Sequence, residues 1–163
     1  MTNSEQKLYK RAWLLSLFTI FYNVAEGLIS MFFGYQDETL VLFGFGVDSF
    51  IEVLSGIGIA VMILRIKRNP GSDKSEFEKT ALKITGTAFY LLSVGLLAGI
   101  ILNLINGHKP ETTLWGVIIS SLSILTMVWL MYAKKNIGKK LDSEPIIADS
   151  NCTKVCVYMS LVL

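Results

Sequence analysis

The chain of 163 residues holds one histidine, His108, and two cysteines, Cys152 and Cys156, four residues apart. One histidine excludes a histidine-rich metal loop within these residues. Its place in a short link also excludes a Ser/His/Asp hydrolytic arrangement. Two neighbouring cysteines exclude the disulfide framework of a small secreted domain. Charge is scarce: 17% of residues are Asp, Glu, Lys or Arg, against about 25% in an ordinary soluble domain. No Gly-x4-Gly-Lys-[Ser/Thr] loop is present, so ATP is not expected to supply energy within this chain, and nothing points to nucleic-acid binding. The first apolar run, residues 13–33, is too long for a signal-peptide core and no Ala-x-Ala site follows it. An enzyme is not expected.

What remains is apolar. Hydrophobic residues make up 52% of the chain, with a mean hydropathy of +0.53. The charges cluster between long apolar runs, which predicts an all-α polytopic membrane protein with one transmembrane domain over residues 1–163. Five membrane helices are expected, near residues 11–34, 40–64, 80–105, 113–133 and 147–163. The last is short and ends on an apolar run, as if cut off before its end. Asn69-Pro70-Gly71-Ser72 is a turn signal. Gly95-x3-Gly99 is a weak signal for close helix packing. Lys and Arg fix the orientation. Of 15, 13 fall on one side: Lys7, Lys10 and Arg11, then six between Arg65 and Lys83, then four between Lys134 and Lys140. The N-terminus is expected in the cytoplasm, in a plasma or inner membrane, with the acidic link 35–39 outside.

Chemistry concentrates in two helices. The second carries Asp48 and Glu52 in Gly44-Phe45-Gly46-Val47-Asp48-Ser49-Phe50-Ile51-Glu52, one turn apart on one face. Acids inside a bilayer are costly and usually functional. The fifth reads Ala148-Asp149-Ser150-Asn151-Cys152-Thr153-Lys154-Val155-Cys156, and its cysteines also share one face. The two helices should run antiparallel, with Asp48 level with Cys156 and Glu52 nearer Cys152. Two oxygens and two sulfurs can form a four-coordinate site, which suits zinc and, with thiolates, a softer ion such as cadmium.

These residues resemble the cation diffusion facilitators, proton-antiport metal efflux proteins. The family's second-helix Asp-x3-Asp corresponds to Asp48-x3-Glu52. Its fifth-helix Ala-Asp-x2-His-x3-Asp corresponds to Ala148-Asp149-x2-Cys152-x3-Cys156. Gly138-x2-Leu141-x-Ser143 and Asn23-x2-Glu26-Gly27 are also similar. Order, loop lengths and orientation match the first five of six expected helices; the sixth helix and the family's cytoplasmic domain are absent from this sequence. The resemblance implies Asp48, Glu52, Cys152 and Cys156 as metal ligands, with three of four ligand types changed. It also implies proton-coupled efflux of a divalent cation and a homodimer. A metal binding such groups must displace their protons, so these four residues would couple metal to proton movement.

Blander readings stand beside these. Asp48 and Glu52 can simply solvate a polar bundle interior. The cysteines can be inert core residues. Asn23 and Glu26 either line the ion's path or pack between helices. Asp149 either assists the entering cation or caps the fifth helix. Lys154 is expected to snorkel, His108 to be solvated, and the basic connectors, Lys134 included, to be topology signals. A non-transporting metal-binding or sensor protein, or a structural membrane subunit with a degenerate site, is the alternative function.

Overall fold

Backbone amides inside a bilayer find no water, and a helix satisfies them within its own segment. The apolar runs obey that rule. The computed structural model describes residues 3–36, 40–69, 74–106 and 114–162. They form α1 (Asn3–Gln36), α2 (Leu40–Arg68), α3 (Lys74–Asn106), α4 (Leu114–Leu141) and α5 (Glu144–Val162), with no strand among the described residues. Three of these, Asn3–Gln36, Leu42–Arg68 and Leu114–Leu141, are long and apolar enough to cross a membrane. The third and fifth expected spans are present as α3 and α5, outside that set. α5 carries Glu144, Asp149 and Lys154 in 19 residues.

The helices outrun the apolar limits read from sequence. α1 begins at Asn3, α2 ends at Arg68, α3 begins at Lys74 and α4 runs to Leu141. Hydropathy marks where lipid should end, whereas Glu, Lys, Arg and Leu carry a helix onward through their own propensity. The acidic link beyond Gln36, the turn from Pro70, His108 and Leu163 lie outside the described residues.

Only two residues separate α4 from α5. Asp142 adopts a left-handed φ of 49°. The Ser143 N–H bonds to the Gly138 carbonyl at 3.0 Å and the Asp142 N–H to the Lys139 carbonyl at 3.4 Å. This is the Schellman closure of a helix end. Pro145 sits in the first turn of α5, where no intrahelical donor is needed. A Cβ on Gly138 would stand 2.8 Å from Ile147 Cγ1, so glycine is what lets α5 fold back this closely.

α2 is the central helix, packed against α1, α3 and α5, while α4 bridges α1 and α5. Contact between α1 and α2 depends on Gly27 and Gly46. A Cβ on Gly46 would lie 2.8 Å from the Gly27 carbonyl oxygen and 2.9 Å from the Met31 nitrogen. By contrast, among the described residues a Cβ on Gly95 meets nothing within 4 Å, so that glycine makes no close approach to them.

Two apolar layers close the bundle. At one end Tyr9, Ala12, Ile59, Met62, Ile63, Ile66, Ala81, Ile137 and Ile146 pack together. At the other, Leu42, Phe45 and Ile119 pack with Phe33, whose ring stacks on Trp115 at 4.1 Å between centroids. The layer between them is polar and buried, including Thr19, Asn23, Glu26, Asp48, Ser49, Glu52, Ser55, Ser123, Lys134, Asp149 and Thr153. Large apolar side chains such as Phe21, Leu28, Phe32, Val94, Leu97, Leu125 and Leu161 point outward. Buried polar groups inside an apolar exterior invert the soluble-protein pattern, and suit a bundle whose solvent is lipid.

Candidate cation site

The polar layer is built by helical spacing. On α1 the buried positions include Ser16, Thr19, Asn23, Glu26, Gly27, Ser30 and Gly34, three or four apart, so they form one inward stripe. On α4 the buried face runs through Ser120, Ser123, Met127, Leu130 and Lys134, by the same spacing.

α2 and α5 are antiparallel, as expected from sequence. Ser55 donates to Asp149 Oδ1 at 2.6 Å, and one turn along Thr153 donates to Glu52 Oε1 at 2.5 Å. Cys156 faces Glu52, which was expected nearer Cys152, and Asp48 is also within its electrostatic reach. Asp48, Glu52, Cys152 and Cys156 are all buried, at 7%, 1%, 1% and 4% relative exposure. Both cysteines are free thiols. Yet among the described residues no three Cys, His, Asp or Glu side chains are drawn together closely enough to hold a metal ion. The four residues thus share one buried region without forming a closed ligand set.

A buried cation stands next to them. Lys134, expected as a cytoplasmic connector charge, is 2% exposed and points inward. Its Nζ lies 2.9 Å from Asp149 Oδ2 and 3.9 Å from Glu52 Oε1. It donates to Thr153 Oγ1 at 3.0 Å, and the Thr153 hydroxyl in turn donates to Glu52. Asp149, expected more readily as a cap, sits beyond the first turn of α5, 1% exposed, and is the partner of a buried cation. The hydroxyls lie in order around the carboxylates. Because a carboxylate only accepts, the Ser55 proton goes to Asp149, and Thr85, 3.1 Å away, supplies the donor for Ser55.

One end of this network is open. Among the described residues, Glu52 Oε2 and Asn23 Oδ1 are fully buried without a donor in good hydrogen-bond geometry, although the Cys156 thiol faces Glu52. Buried acceptors without donors are uncommon and costly. A second polar group lies on the α1 side. Glu26 accepts from Tyr22 at 3.0 Å and from Ser49 at 3.0 Å, and Ser123 of α4 also faces it. Asn23 donates to the Thr19 carbonyl at 3.0 Å. Both therefore belong to the polar layer, between α1, α2 and α4. Lys154 is exposed, with its ammonium 5.6 Å from the Tyr158 ring centroid.

Lys134 and Thr153 did not stand out in the sequence as part of this site. The available signal was periodicity: Lys134 follows Leu130 by four residues on the stripe begun by Ser120 and Ser123. No protein-family model, curated protein or solved structure matches this chain.

Proposed function

We propose that this chain is the membrane domain, or part of it, of a divalent metal transporter of the cation-diffusion-facilitator type. In this reading it exports zinc, or a softer ion such as cadmium, in exchange for protons. Five helices span a plasma or inner membrane with the N-terminus in the cytoplasm, and the working unit is a homodimer. The observation that carries the reading is the α2–α5 contact. It brings two carboxylates and two thiols, all buried, into one region between two antiparallel helices.

The chemistry follows from the donors. Cys152 and Cys156 supply sulfur, which favours zinc and softer ions over magnesium or calcium. Asp48 and Glu52 supply hard oxygen and negative charge. Binding displaces protons, and reprotonation at the far side favours release. Asn23 and Glu26 line the approach from α1. Closing the ligand set requires α2 and α5 to shift relative to each other, a small movement of packed helices of the kind that alternates access in transporters.

A second reading is favoured by the Lys134–Asp149 pair. An internal ammonium neutralises the acids without any guest, as a structural membrane subunit would require. Flux separates the two. Proteoliposomes holding the purified chain should take up Zn2+ or Cd2+ against a proton gradient, and Asp48→Asn or Cys156→Ser should reduce the rate at least about tenfold, a ligand's loss being worth more than about 1.4 kcal/mol. Flux that is the same in Asp48→Asn and the unaltered chain would refute transport through this site.

A further inference from the structure

We propose that Lys134 is a tethered cation standing in the electrostatic place of the cargo, so that a divalent ion enters by exchange with its ammonium. This rests on the reading of the α2–α5 contact as the cargo site and adds a residue that sets its affinity. Three features carry it.

The ammonium is nested between the acids. Nζ is 2.9 Å from Asp149 and 3.9 Å from Glu52, with Thr153 as a third acceptor. Each acid also has a hydroxyl partner besides the ammonium, Asp149 in Ser55 and Glu52 in Thr153. When the ammonium leaves, the carboxylates keep their positions and their charge becomes available to another cation.

The contacts are unequal. The Asp149 distance is that of a direct charge-assisted hydrogen bond, whereas 3.9 Å to Glu52 is beyond one. Lys134 therefore neutralises Glu52 through space, without a direct hydrogen bond to it. The acid most central to the donor set is held in reserve.

The stem allows withdrawal. Lys134 lies in the last part of α4, two turns before its end at Leu141, and is followed by Lys135, Lys139 and Lys140. A lysine is a compact point charge on a flexible four-carbon stem, and from this depth it can snorkel toward the cytoplasmic surface. A divalent ion and an ammonium this close would repel strongly in a low-dielectric interior, so occupation by one drives out the other. The effect is specificity for charge: a monovalent ion gains little by displacing a monovalent ammonium, while a divalent one gains more.

The test uses the purified full chain in lipid nanodiscs, titrated with Cd2+ and followed by the thiolate-to-cadmium charge-transfer absorption. Lys134→Gln should bind at least about tenfold more tightly than the unaltered chain, and Lys134→Arg, which keeps the charge, should not. Binding by Lys134→Gln alone, with none in the unaltered chain, also supports the proposal. Where Lys134→Gln does not yield folded protein, the pair Asp149→Asn and Asp149→Asn/Lys134→Gln makes the same comparison with Asp149 no longer charged, and the double variant should bind more tightly. A folded Lys134→Gln protein with unchanged or weaker binding overturns the proposal. If Cys152→Ser/Cys156→Ser still abolishes the band, the cargo site itself survives that result. No band in either the unaltered chain or Lys134→Gln overturns both.

Discussion

An ammonium shut away from water must find its neutralising charge inside the protein, and Lys134 finds it in Asp149 at 2.9 Å. Breaking such a pair from one side leaves an uncompensated buried charge, a loss of about 3–5 kcal/mol. Asp149→Asn should therefore lower the thermal midpoint of the purified protein markedly. Asp149→Asn/Lys134→Gln should recover most of that loss, since two amides of similar shape can hydrogen-bond where the ions did. A double variant no more stable than the single one would show that the pair does not act as a unit. At this scale the sequence was partly legible. Asp48 and Glu52 announce themselves as acids in an apolar run, and Cys152 and Cys156 as paired thiols. Lys134 does not, because a lysine among four near a helix end has the same appearance whether it points to headgroups or inward. Only packing of α5 against α4 decides its direction.

At the scale of elements, the α1–α2 contact is set by glycines. Gly46 faces the Gly27 carbonyl and the backbone of Met31 so closely that any side chain must part the helices. Gly46→Val should cost about 1–3 kcal/mol as overpacking, and should loosen the layer in which Ser49 bonds Glu26. Gly95→Ala, where no described residue lies within 4 Å, should be neutral or slightly stabilising through helix propensity. Parallel thermal melts of the two variants check the contrast; equal losses would contradict it. Gly95-x3-Gly99 fits a packing motif by spacing alone, yet Gly95 makes no close contact with the described residues. Gly27 and Gly46 make one although no motif joins them, because their partnership is between helices. The α1 stripe from Ser16 through Asn23 and Glu26 to Ser30 was present in the spacing, but its polar members are spread thinly enough that only Asn23 and Glu26 stand out. The antiparallel arrangement of α2 and α5 was legible, since alternating helices joined by short links leave little other choice.

At the scale of the whole molecule, two apolar layers enclose a polar middle, and the outer surface is apolar again. That arrangement isolates the acids and thiols from both ends of the bundle at once. In the native protein in nanodiscs, Cys152 and Cys156, at 1% and 4% exposure, should resist a membrane-impermeant maleimide applied from both sides, and react after denaturation. Rapid labelling of the folded protein would mean that the middle layer is open to water. Helical composition and the buried polar middle follow from hydropathy and from the cost of bare acids in lipid. The closed state of the centre does not, because it depends on one cation drawn in from a helix end.

On the proposed reading, Glu52, Asp48, Cys152 and Cys156 bind one divalent ion together. X-ray absorption at the zinc edge of the zinc-loaded protein is the decisive measurement. Two sulfur neighbours at about 2.3 Å and two oxygens at about 2.0–2.2 Å are expected, with the sulfur contribution lost in Cys152→Ser/Cys156→Ser. A zinc shell of oxygen and nitrogen alone, unchanged in that double variant, would contradict it.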